Sequence, residues 1–209
     1  MNKTPQKNFP VTHILEAIAR KVIHQYDPSL LETPAPIPIE SIMERVYGLK
    51  LDFQHIRGNG RILGQIVFEK SLIPIYERES GEGYKLIPME AGMVIIDASL
   101  TKRGRYGRYR FTLAHELSHK IIHKDYFISR GGTAAMTNAF EYSEVEKTVE
   151  RQANRMASYL LMPKDTIEKA FHDVLRTKGS IIAPLAERFH VSKEAMDYRL
   201  NEMGLLMKR

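Results

Sequence analysis

Cysteine is absent from the 209-residue chain. Its absence excludes a disulfide framework, a thiolate metal site and a cysteine nucleophile, and it fits a reducing compartment. Long hydrophobic runs are missing as well. No stretch approaches the roughly 20 apolar residues that span a bilayer, and the polar, then amphipathic N-terminus lacks the continuous apolar segment of a signal peptide. A soluble, cytoplasmic protein is therefore expected. Carboxylates are missing from one particular stretch. Lys102, Arg103, Arg105, Arg108 and Arg110 follow one another without an acid among them and account for five of the six net positive charges. Such a run can be a rim that steers an acidic substrate, a nucleic-acid contact, or a solvated loop with Gly104 and Gly107 as turn residues. Its direct connection to the helix that follows favours a loop with a substrate-facing rim.

What is present is ordinary for a globular protein, with 43% hydrophobic and 27% charged residues in a chain long enough to bury a core of one or two domains. Residues 1–10 read as an unstructured lead. Thr12 is a candidate cap for a helix in which Ile14, Leu15, Ile18, Ala19, Val22 and Ile23 share a face. TPAPIP at 33–38 is a stiff connector, followed by a short helix around Ile39–Tyr47 that Gly48 closes. Strand-like runs come next, LKLDF, ILGQIVF, SLIPIY, YKLIP and MVIID, with a turn signal at Ser80-Gly81-Glu82-Gly83. Helices, a small and mostly antiparallel sheet, then more helices give an α+β fold.

The most informative residues are His115-Glu116-Leu117-Ser118-His119. Phe111, Leu113, Ala114, Leu117, Ile121 and Ile122 recur at helical spacing through them, so the pentapeptide lies on an amphipathic helix. Positions i and i+4 share a helix face, which lets two imidazoles converge on one metal ion. Glu116, one residue from the first ligand, reaches over the open coordination position and can serve as a general base for hydrolysis. His123 continues the series but lies roughly 12 Å along the axis from His115, too far to share the ion. It is expected behind the ligands or at the surface.

A hydrolytic site of this kind takes a third protein ligand. In the downstream segment Val145, Val149, Ala153, Met156, Ala157 and Leu160 form an apolar face that Pro163 ends, with Glu150 at its edge, Glu146 a turn before and Asn154 a turn after. Spacing alone does not choose between Glu146 and Glu150.

The strings YRFTLAHELSHKIIH and ERQANRMASYLLMP resemble the two signature segments of the ImmA/IrrE family of zinc metallopeptidases. The resemblance implies a zincin-like domain, His115, His119 and Glu150 as Zn2+ ligands, Glu116 as general base, and Glu146 as a neighbour on the helix. It also implies limited cuts in a specific protein, a transcriptional repressor of a bacterial mobile element or stress regulon, which would be of the helix-turn-helix type. Tyr142, Tyr159 and Arg110 are candidates for stabilising the oxyanion.

The division expected from the sequence is a lead at 1–10, a metallopeptidase domain at 11–171 and a helical subdomain at 172–209. In the last, two short helices flank Phe189-His190-Val191-Ser192, with Ser192 as N-cap. The pattern resembles a helix-turn-helix, but His190 stands at the usual turn glycine. The second helix carries Lys193 and Arg199 against Glu194, Asp197 and Glu202, which disfavours phosphate contact. Two other functions compete with the enzyme: a DNA- or partner-binding regulator with a structural metal, and a toxin–antitoxin or phage-control protein that acts by sequestration. The presence of Glu116 argues for catalysis, since a structural site needs only its ligands.

Overall fold

The computed structural model describes residues 12–56, 62–77, 83–131, 143–176 and 179–206. Helix α1 (Thr12–Tyr26) forms because Leu15, Ala19, Val22 and Ile23 recur on one side, and all four are buried. The helix begins at Thr12 itself, and Ile14 stands outside the stripe, exposed to solvent. After a 3-10 turn at Pro28–Leu31 capped by Asp27, the proline-rich connector leads into α2 (Ile39–Tyr47). Gly48 ends α2 in the left-handed conformation, φ 62°, its N–H returning to Glu44 and Met43 carbonyls.

Among the described residues five strands follow: β1 (Lys50–Gln54), β2 (Gly64–Ile66), β3 (Ser71–Glu77), β4 (Gly83–Met89) and β5 (Met93–Asp97). They form two sheets. β3 and β4 make an antiparallel hairpin with Glu77 opposite Gly83, while the Ser80–Glu82 part of the expected turn lies outside the described residues. The other sheet is mixed, in the order β1-β5-β2, with β5 parallel to β1 and antiparallel to β2. As the central strand, β5 is buried on both faces. Val94 and Ile96 join the helical core, and Ile95 joins a second cluster with Ile73, Ile75 and Met89 of the hairpin. The two-residue period of a strand produces that division.

The helices are α3 (Tyr106–Ile122), α4 (Lys124–Ile128), α5 (Glu144–Leu161), α6 (Lys164–Leu175), α7 (Ile182–Arg188) and α8 (Lys193–Glu202). α3 is buried on most of its circumference, because α5, α2 and β2 all pack around it. α5 buries Val149, Ala153, Met156, Ala157 and Leu160, whereas Val145 near its start is exposed. Pro163 ends α5 as expected and starts α6; the boundary drawn from the sequence after residue 171 falls inside α6. Leu185, Phe189, Met196 and Leu200 of the C-terminal segment belong to the same core cluster as α1, α3 and α5. His190 between α7 and α8 has φ 52°, the left-handed conformation that a turn glycine adopts without strain.

Candidate metal centre

α3 and α5 bring three candidate donors together, two imidazoles and a carboxylate. His115 and His119 lie on adjacent turns of α3 with their Nε2 atoms 2.9 Å apart. Glu150 of α5 reaches both, with Oε2 3.3 Å from His115 Nε2 and Oε1 3.4 Å from His119 Nε2. One ligand atom from each residue fits within 4.8 Å of the others. A tetrahedral ion with ligands at about 2.0–2.1 Å needs ligand atoms spaced by roughly 3.3 Å, so the donor set fits a divalent metal. Glu146 is occupied elsewhere. It closes a capping box with Ser143 at the start of α5 and pairs with Arg130.

The ligands are held from behind. Asn154, one turn after Glu150, accepts a hydrogen bond at Oδ1 from His115 Nδ1 over 3.0 Å. His123 is 1% exposed and sits at the back of His119, with their Nδ1 atoms 3.1 Å apart; its own Nε2 is 3.1 Å from Gln152 Oε1. Burial pushes both His119 and His123 down to about 4, so each is neutral near pH 7 and owns a single N–H. The Gln152 oxygen claims the His123 proton at Nε2, which leaves His123 Nδ1 as an acceptor. His119 must then donate from Nδ1 and present a bare Nε2 lone pair toward Glu150. His123 thus occupies the position behind the ligands that the helical spacing allowed.

Electrostatics around the cluster favour positive charge. Burial pushes Glu150 up, but its close approach to the His115 and His119 imidazoles outweighs it and holds the carboxyl well below the usual range. Burial pushes His115 down, yet its bond to Glu150 and the charges of Glu116 and Glu150 raise it overall. A proton or a metal ion satisfies the same attraction. Glu116 is 4% exposed, and burial pushes its carboxyl up to about 7 despite the nearby His115 and a hydrogen bond from the Ile66 backbone N–H. The β2 backbone lies directly against it. A Cβ on Gly64 would meet Thr112 Cγ2 at 2.6 Å and Glu116 Oε1 at 2.7 Å, so only glycine allows this approach.

Other candidates from the sequence are committed elsewhere. Arg110 is buried, donates to the Ile37 carbonyl at 2.7 Å, and so leaves the exposed basic run to Lys102, Arg103, Arg105 and Arg108. Gly107 is not a loop turn but lies in the first turn of α3, where a Cβ would meet the Ser192 backbone N at 3.1 Å. The Tyr159 hydroxyl donates to Glu202 at 2.7 Å, and Tyr142 lies outside the described residues. Gln152 was not singled out by the sequence. Its only signal is its place on α5, two residues beyond Glu150.

Comparison with known proteins bears on the same segment. A profile described as the IrrE N-terminal-like domain, peptidase M78, matches residues 93–201. The radiation response metalloprotease IrrE of Deinococcus radiodurans is 31% identical over 113 residues, 54% of this chain and 32% of that protein. Its namesake in Deinococcus deserti is 34% identical over 95 residues, 46% of this chain and again 32% of the relative. The aligned segment therefore spans about a third of each of these relatives. A structure described as a Mycobacterium tuberculosis transcriptional regulator superposes with a TM-score of 0.52 at 15% identity, over 90% of this chain and 47% of that one. At that identity the likeness is one of fold.

Proposed function

Because the chain belongs to the IrrE N-terminal-like family of peptidases, M78, we propose that it is a metal-dependent endopeptidase in which His115, His119 and Glu150 hold zinc and Glu116 is the general base. The convergence of the three donors within 4.8 Å, beside the buried carboxyl of Glu116, carries this reading. Two imidazoles and one carboxylate suit zinc. A divalent ion held there would supply the Lewis acid that acidifies water and polarises a scissile carbonyl.

The chain's own residues do the rest. His115 and His119 bind through Nε2 because Asn154 and the His123–Gln152 pair fix their protons at Nδ1. Glu116, steadied by the Ile66 N–H, takes a proton from the attacking water and hands it to the leaving amine nitrogen. Burial pushes the Glu116 carboxyl up, which favours its taking up the proton before passing it on. The proposed substrate is a protein, a helix-turn-helix repressor cut at few sites, as the family resemblance implies. Direct DNA binding has less support, since burial of Arg199 leaves Lys193 as the basic residue on the outer side of α8.

The test is incubation of a repressor encoded near this protein with wild type and with Glu116→Gln at matched metal content. Wild type should give discrete fragments. The variant, folded and fully loaded, should cleave at least ~100-fold more slowly, the low end for loss of a general acid–base group. Normal cleavage by the variant removes Glu116 from the mechanism. Relief of repression by both proteins without any cut supports sequestration instead.

A further inference from the structure

A cavity of about 710 Å³ opens beside the metal centre, between the first turns of α3, the middle of α5 and α8. It adjoins the centre through a shared residue. Asn154, which holds His115, is part of its wall, and Phe111 lies one helical turn before His115 on α3. Val191, Ala195 and Tyr198 give the opposite side an apolar character. Three arginines, Arg108, Arg151 and Arg155, line it against a single carboxylate, Glu194. Arg155 approaches Glu202 at 3.8 Å, but Arg151 donates only to the Thr148 hydroxyl, and neither Arg151 nor Arg108 forms an ion pair among the described residues. Ser158, 6% exposed, also lines the cavity, and its hydroxyl has no hydrogen-bond partner among the described residues.

Guanidinium groups such as those of Arg108 and Arg151 recognise oxyanions, and apolar walls beside a proposed peptidase centre favour a carboxylate on an otherwise apolar polypeptide segment. We propose that this cavity is a specificity pocket for the substrate polypeptide, holding an aspartate or glutamate next to an apolar residue, close to the scissile bond. The inference rests on the peptidase reading of the adjoining centre. It also gives the C-terminal helices a role: α8 is a wall of the substrate cleft. The excess of arginine selects the acidic residue, while Phe111, Val191 and Ala195 select its neighbour.

The experiment uses zinc-loaded full-length Glu116→Gln and fluorescein-labelled decapeptide pools, degenerate except for one fixed Glu, Gln or Lys, read by fluorescence polarisation. The Glu pool should bind at least ~10-fold more tightly than the Gln and Lys pools, the scale of one charge-assisted hydrogen bond. Arg108→Gln with Arg151→Gln should abolish the difference, and Arg151→Glu should reverse the order in favour of Lys, with metal content and thermal midpoint unchanged. Equal binding of the three pools, or a Glu preference that survives in the double variant, would overturn the pocket. Digestion of the same pools by wild type separates the two ideas. Hydrolysis without acidic preference overturns the pocket alone, whereas charge-selective binding with no hydrolysis supports the pocket and counts against the peptidase.

Discussion

His119 shows how much of a proposed metal site is decided by groups outside its donor set. Its Nε2 faces Glu150 as a lone pair only while its proton stays on Nδ1, and His123 and Gln152 together keep it there. Removing the Gln152 oxygen frees His123 to reverse its proton, and the His119 tautomer is then no longer specified. Gln152→Leu should therefore weaken metal binding by ~10-fold, the low end for loss of a group that orients a ligand. Competition with a fluorescent zinc chelator measures this, and His123→Leu should behave alike. Both variants keep the three ligands, so unchanged affinity in both would show that the pair is only packing. Spacing along α3 placed His123 behind the ligands or at the surface; choosing between these needed α5, which covers it.

At the scale of elements, the contact between β2 and α3 positions the Glu116 carboxyl, the proposed general base. Gly64 lets the strand backbone approach until the Ile66 N–H reaches Glu116. An added methyl would push against both Thr112 and Glu116, so Gly64→Ala should retain metal yet lower cleavage by ~10–100-fold through misplacement of the carboxylate. Unaltered turnover of the same substrate would mean that β2 does not position the base. Much of this architecture was legible in the sequence. The apolar period of α3 gave the helix, and the i, i+4 histidines gave two of the three clustered donors, because both depend only on local geometry. The choice between Glu146 and Glu150 depends on how α5 is rotated against α3, which periodicity leaves open. One local signal did exist: Ser143 followed three residues later by Glu146 spells a capping box, which commits Glu146 to the helix start. The parallel pairing of β1 with β5 was hidden for another reason. It joins segments about forty residues apart, and nothing in either strand's own pattern records the direction of a distant partner.

At the scale of the molecule, Arg199 ties the C-terminal helices to both ends of the chain. Its buried guanidinium pairs with Glu16 of α1 and with Glu202, donates to the Met162 carbonyl at 3.2 Å, and lies 4.4 Å from the Tyr159 ring centroid. Arg199→Leu strands these acceptors, two of them partly solvated, and should cost about 2 kcal/mol in urea unfolding. A loss below ~0.5 kcal/mol would mean that packing of Met196 and Leu200 alone holds α8.

Among the described residues, His115, His119 and Glu150 form one cluster of donors where α3 and α5 pack, the proposed seat of one metal ion. Anomalous diffraction at the zinc edge on zinc-loaded crystals tests that most directly. It should show a single strong site per chain, about 2.0–2.2 Å from His115 Nε2, His119 Nε2 and a Glu150 oxygen, with Glu116 outside the coordination sphere. Zinc bound elsewhere, no ordered zinc at all, or Glu116 in place of Glu150 would contradict the account.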